Sequence, residues 1–355
     1  MTTDRPIIVV GCPRSGTTML QLMLHAHPRI AIPPETRFML AAYWERRSFG
    51  DLSVTANRRA LANWIIHRRE TRFCDLGLDA DDIVERITAG PGTLGSALGT
   101  VFQQYAARFG KPRWGDKRPA YLNNIDILLQ LFPNAQFINI VRDGRDCVAS
   151  LKEMSWHRED IYATVAAWSR AVDDARRAAR RLGTAQWHEV RYEDLVADPH
   201  TVLAALCAYL GEEYHPAMAQ PSAVANVAVP SFKTWHARTH TPVTTQRVQS
   251  WQTRLTSEEI SLCEAALGSR LVACGYELSG TARPAPAELL RYGLTAAPQR
   301  FIPARRGLSR AANRLRRGDD LAYLPTPILP QRTGPGHADP ATRHEPPGRI
   351  DTGRS

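Results

Sequence analysis

Apolar positions in this chain fall into short β-branched runs separated by longer stretches of helical spacing. The first run is Pro6–Val10 and the second is Gln136–Val141, introduced by Leu131-Phe132-Pro133-Asn134-Ala135. The third is Trp187–Arg191, leading into Tyr192-Glu193-Asp194-Leu195, and Arg29–Ile32 is a shorter fourth. Between them apolar residues recur with a period of about 3.6, as over Ile161–Leu182 and Thr201–Leu210. Strands alternating with helices predict an α/β fold: right-handed βαβ units and a P-loop-like parallel sheet flanked by helices. Residues 38–110 interrupt the alternation with polar, helix-patterned sequence carrying Tyr43, Trp44, Phe49, Trp64 and Phe73. This stretch predicts a helical insertion, part packed on the sheet and part forming a lid over a ligand.

After Leu278 the pattern changes. Residues 281–355 hold eleven of the 25 prolines, and beyond Leu329 apolar residues are too sparse to build a core. The sequence thus divides into a main domain over 1–280, a basic Pro/Arg-rich extension over 281–330 and a disordered tail over 331–355. Within the extension, Arg305–Arg317 has helical spacing, with Leu308, Ala311, Ala312 and Leu315 on one side. Such a basic helix suits either its own domain or an anionic membrane surface.

Charge sharpens that division. Of the net +10, residues 281–355 contribute thirteen Arg against six acidic residues, so residues 1–280 carry only +3. The basicity belongs to the extension and gives no reason to expect a nucleic-acid partner. No basic stretch followed by an apolar run precedes the first strand, and no apolar run reaches the ~18–20 residues of a membrane span. The expected location is the cytoplasm. The six cysteines include no C-x-x-C pair, and His157, His240 and the other histidines form no ligand constellation, so no metal is expected. Cys12 suits a backbone-lining role better than that of a reactive thiol.

The candidate chemistry begins in the loop after the first strand. Gly11-Cys12-Pro13-Arg14-Ser15-Gly16-Thr17-Thr18 has the G-x-x-x-x-G frame that gathers backbone amides around a phosphate, but Thr17 stands where a nucleoside triphosphatase needs Lys. Arg14 can grip two oxygens of a phosphate or sulfate. Arg142-Asp143-Gly144-Arg145-Asp146 begins where the second long strand ends, the usual ligand edge of an open α/β sheet. Arg142 and Ser150, two turns into the following helix, fit a second phosphate.

With these two motifs the chain resembles the PAPS-dependent sulfotransferases, particularly the tyrosylprotein sulfotransferases and their bacterial relatives. The resemblance covers residues 5–280 and is strong in blocks. It implies that Pro13, Arg14, Ser15, Gly16, Thr17 and Thr18 hold the 5′-phosphosulfate of 3′-phosphoadenosine-5′-phosphosulfate (PAPS), and that Arg142 and Ser150 grip its 3′-phosphate. Pro34-Glu35-Thr36-Arg37 is similar to the family's Glu-Thr-Arg, which implies Glu35 as the general base, with a His base, as in the cytosolic small-molecule sulfotransferases, the second choice. Trp114-Gly115-Asp116-Lys117-Arg118-Pro119 is similar to the block whose Lys steadies the leaving group. The residue types suit the reaction: a carboxylate takes the acceptor proton, and Lys117 and Arg14 meet charge building on phosphate oxygens.

Three roles stay open. Tyr192 fits the nucleotide site or the core, and Arg37 fits contact with the acceptor or a surface acid. Glu35 also suits the first turn of a helix, where a carboxylate complements the dipole. Ser250-Trp251 is similar to a segment that closes over the nucleotide, with altered spacing. Met154 stands where the eukaryotic tyrosylprotein enzymes have a further Arg, and Arg145 is the replacement the sequence offers. The expected reaction is direct sulfuryl transfer to a hydroxyl or amine of a small molecule, glycan or lipid. The alternatives are a P-loop kinase and a non-catalytic anion-binding protein. Oligomeric state is not legible.

Overall fold

A computed structural model describes residues 5–224, 242–300 and 321–324. Five parallel strands form one sheet in the order β2-β3-β1-β4-β5: β1 (Ile7–Gly11), β2 (Ile30–Ala31), β3 (Arg113–Lys117), β4 (Gln136–Val141) and β5 (Trp187–Arg191). The chain leaves central β1 by α1 (Thr17–Ala26) for β2 and, after the insertion, β3 on one side, then passes to β4 and β5 on the other. Every strand therefore ends at the same edge, with the reversal in strand order beside β1, where open α/β sheets bind ligands.

Alternation along the strands explains the two layers. Ile7, Val9, Ile138 and Ile140 join the core shared with α1, α9 (Tyr192–Ala197) and α10 (Pro199–Leu210). Ile8, Val10 and Phe137 face the larger core, which includes the helices of the insertion. These are α2 (Phe38–Glu45), α3 (Thr55–His67), α4 (Ala80–Ala89) and α5 (Leu94–Ala107). Phe38, Phe102 and Trp114 stack in sequence with centroids 5.0 Å apart at each step, tying α2 and α5 to β3. The insertion is thus a wall built on the sheet. After α6 (Ile125–Leu131) and α7 (Gly144–Lys152) comes α8 (Ile161–Gln186), whose α-helical run is broken at Gly183 with φ 62°.

The one strand without a hydrophobic signature is β3. Arg-Trp-Gly-Asp-Lys is mostly polar, yet all five residues are buried. Gly115 is required there, because a Cβ would lie 2.4 Å from the carbonyl oxygen of Ile7 on β1.

The remaining helices are α11 (Trp251–Arg254), α12 (Ser257–Ala273) and α13 (Pro286–Arg300), the last packed on α8, with Tyr292 and Ser169 hydroxyls hydrogen-bonded. Residues 321–324 return to the core. Tyr323 donates its backbone N–H to the Leu131 carbonyl at 2.6 Å, and its ring lies against Gly99, where a Cβ would meet it at 2.4 Å. The ring also meets Trp114 and Phe132, and its hydroxyl is hydrogen-bonded to Gln103. Part of the extension is therefore packed against the main domain, whereas Arg305–Arg317 and residues 331–355 lie outside the described residues. Tyr323→Ala is expected to lower stability by about 3–5 kcal/mol, the range for truncating a buried aromatic, read as a lower denaturant midpoint. An unchanged midpoint would mean that the ring contributes nothing to the core.

Candidate active site

The loop from Gly11 to Gly16 turns β1 into α1 through three left-handed or positive-φ residues: Gly11 (φ 157°), Arg14 (φ 70°) and Gly16 (φ 98°). Ser15 is fully buried and holds the turn, its Oγ donating to the Cys12 carbonyl at 2.7 Å and its N–H to the same oxygen at 3.1 Å. The Cys12 carbonyl thus closes the turn. Gly16 admits no side chain, since a Cβ would sit 2.6 Å from the Tyr192 ring. Thr17 and Thr18 open α1, whose first turn holds no acidic residue, so its amides face an unopposed positive end. Pro13 is exposed on the outer side of the turn.

Arg142 follows β4 at the same edge and is buried. It donates to the Arg14 carbonyl at 3.1 Å and the Arg247 carbonyl at 2.6 Å, and its guanidinium lies 4.3 Å from the Tyr192 ring centroid. Arg14 Nε donates to Ser150 Oγ at 3.0 Å, which brings the loop after β1 and the helix after Arg142 into direct contact. Tyr192 is buried and packs on both Arg142 and Gly16.

Arg145 does not supply the missing cation. It is bonded to Asp143, to Glu264 at 2.6 Å and to the Glu277 carbonyl at 2.8 Å, and it lies 4.0 Å from the Trp251 ring centroid. Beyond Asp143, its partners come from over 100 residues away and commit it to joining α7 to α12 and the segment beyond. Arg247 and Arg254 are the cations that sequence reading missed. Burial first, then Arg142, Arg254 and Arg247 hold the Arg14 guanidinium below its usual value. Asp146 carries this later segment into place: its Oδ1 accepts from Ser250 Oγ at 2.9 Å and from Trp251 N–H at 2.8 Å. Ser250 in turn accepts from Arg254 Nη1 at 2.9 Å, so Ser250 does belong to this region.

On the other side of β1, the β1–β3 register sets Lys117 opposite Val9 and sends its side chain into the site. Lys117 Nζ lies 3.3 Å from Glu35 Oε2 and 3.4 Å from Thr18 Oγ1. Arg118 Nε lies 3.9 Å from the other Glu35 oxygen. Glu35 remains partly accessible, at 27 % of its side chain, while Lys117 is nearly enclosed at 4 %. Beneath them Asp116, with no exposed surface, accepts from Thr36 Oγ1, Tyr121 OH and the Lys117 N–H. Arg37 is exposed; its N–H donates to the Thr71 carbonyl, and its side chain forms no ion pair among the described residues. Among the described residues no three His, Cys, Asp or Glu side chains cluster as a metal site, and no helix is long and apolar enough to cross a membrane. Burial, reinforced by Cys12, raises the Cys147 thiol well above its ordinary value, leaving it protonated and unreactive.

Comparison with known proteins identifies the family and the fold. The sequence profile described as "Sulfotransferase family" covers residues 6–216. The nodulation protein NoeE of Sinorhizobium fredii is 30% identical over 296 residues, 76% of this chain and 66% of NoeE. The protein-tyrosine sulfotransferase 2 of Gallus gallus is 28% identical over 216 residues, 59% of this chain and 52% of that protein. The chain thus spans half to two thirds of the length of these curated relatives. Among solved structures, the sulfotransferase domain of the Synechococcus PCC 7002 olefin synthase superposes with a TM-score of 0.54 at 20% identity, covering 78% of this chain and 98% of that domain. The sulfotransferase domain of the curacin biosynthetic pathway gives 0.53 at 20% identity, covering 78% of this chain and all of that domain. At that identity the likeness is one of fold.

Proposed function

The chain belongs to the sulfotransferase family, and from that premise we propose that it moves a sulfuryl group from PAPS directly to an acceptor hydroxyl, with Glu35 as general base. The observation that carries this reading is the position of Lys117, whose Nζ is within 3.4 Å of both the phosphate loop at Thr18 and the carboxylate of Glu35. A cation there serves the leaving side of the reaction, beside the base that serves the attacking side.

The residues fit the donor. Four arginines, Arg14, Arg142, Arg247 and Arg254, influence one small region, a repulsion that two phosphate-type anions relieve. Arg142 Nε is a buried donor with no protein partner among the described residues, which suits an acceptor brought by a ligand. Pro13 to Thr18 with Arg14 would hold the 5′ end. Arg142 and Ser150 would hold the 3′-phosphate, with Tyr192 and Ser250 bordering the nucleotide. The donor supplies an activated sulfuryl group; the new bond is from acceptor oxygen to sulfur, and the bond broken joins sulfur to the bridging oxygen. Glu35 takes the acceptor proton, Lys117 and Arg14 stabilise charge on the departing 3′,5′-bisphosphate, and positioning supplies much of the rate. No metal is required for this sequence of events. Arg37, exposed and two residues after Glu35, would meet the acceptor, which we take to be a small molecule, glycan or lipid.

The test is calorimetry of 3′,5′-adenosine bisphosphate beside ATP with Mg²⁺, followed by PAPS turnover against a hydroxyl panel that includes 4-nitrophenol, glycans and water alone. Tight bisphosphate binding with little heat from ATP is expected. Tight ATP binding indifferent to a 3′-phosphate would replace this reading with a kinase.

A further inference from the structure

We propose that Asp116 is the positioning residue that assembles the Glu35–Lys117 pair, tying the turn that carries one to the strand end that carries the other. The inference rests on the roles just given to those two residues. Asp116 lies at the end of β3 with none of its surface exposed, so it cannot itself meet an acceptor. Its Oδ2 accepts from Thr36 Oγ1 at 3.1 Å and Tyr121 OH at 2.5 Å, and its Oδ1 accepts from the Lys117 N–H at 2.8 Å. Thr36, also fully buried, directly follows Glu35 in the loop between β2 and α2. Tyr121, likewise fully buried, sits in the short 3₁₀ turn Pro119–Asn124. One carboxylate therefore fixes three segments that converge on the base and its neighbouring cation.

A carboxylate in this place is a burden on folding. Burial raises its pKa from 3.8 to about 6, against the opposing effect of three donors and with a further rise from the charge of Glu35. As pH rises, the unfolded chain releases this proton first and the folded chain later, so stability falls between about 4 and 6 and the cost is fully present above that range. A group retained only for stability would not carry that sign.

Asp116→Asn keeps the volume but leaves one acceptor oxygen; with that oxygen on the Lys117 N–H, the Thr36 and Tyr121 hydroxyls face an NH2 donor in place of their shared acceptor. Thr36→Val cuts only the tie to the Glu35 loop, and Thr36→Ser retains it. PAPS turnover is followed as bisphosphate release with the best acceptor of the panel, or with water. Asp116→Asn and Thr36→Val are expected to lower kcat by about 10- to 100-fold, because a small misplacement of a base has effects of that size. Bisphosphate affinity should stay at the wild-type value, Thr36→Ser should restore kcat, and Asp116→Asn should melt no lower than wild type at pH 8. Activity and melting temperature falling together in Asp116→Asn, or Thr36→Val turning over normally, would overturn the proposal. Glu35→Gln separates the two levels: if it remains fully active, the base assignment fails; if it alone is impaired, only the role of Asp116 fails.

Discussion

Glu35→Gln is expected to lower kcat for PAPS turnover by about 10²- to 10⁴-fold, the range for losing a positioned general base. Glutamine has nearly the same volume, and its oxygen can still accept from Lys117, whose Nζ lies 3.3 Å from the carboxylate. What it cannot do is take the acceptor proton. Because Glu35 lies across Lys117 from the phosphate loop, bisphosphate affinity should remain at the wild-type value, and the loss should appear in kcat rather than in donor binding. Parallel loss of bisphosphate binding would mean that Glu35 acts by holding Lys117 in place. Unchanged kcat would remove the base from the mechanism.

Arg142→Ala is expected to weaken 3′,5′-adenosine bisphosphate binding by about 2–5 kcal/mol, the cost of truncating one member of a buried charged pair. Calorimetry with AMP as the companion ligand checks the assignment, since AMP lacks the 3′-phosphate and should lose little. Arg142→Lys should recover only part of the affinity, because the ammonium cannot reproduce a planar guanidinium that bonds two carbonyls and stacks on Tyr192. Equal losses for AMP and the bisphosphate would move Arg142 from phosphate recognition to support of the loop, through its bond to the Arg14 carbonyl.

Much of this site was legible because its parts sit in local patterns. A β-branched run, a glycine frame and a helix announce the phosphate loop; the strand ending at Val141 announces Arg142; and Gly183 marks the end of the helical run that the spacing placed at Leu182. β3 escaped because periodicity detects burial only when buried residues are apolar, and Arg113, Asp116 and Lys117 are buried through polar partners. Its signal was the Trp-Gly-Asp-Lys block itself, read as chemistry and not as a strand. Arg145 was offered as the replacement for the Arg that Met154 displaces. Its actual partners, Glu264 and the Glu277 carbonyl, are contacts that no local pattern contains. Arg247 and Arg254 escaped for the same reason: Asp146 brings their segment to the loop across about 100 residues.

The seat of Tyr323 bears on how the chain is made. A slot floored by Gly99 and walled by Trp114 and Phe132 belongs to the first half of the sequence, while the side chain that fills it is among the last described. During synthesis the sheet can pair long before that ring exists, so the nascent protein carries an open aromatic slot until residue 323 has been added. A copy cut short before that point keeps the slot and lacks the ring, and an intact neighbour, whose own ring is already seated, has none to spare for it.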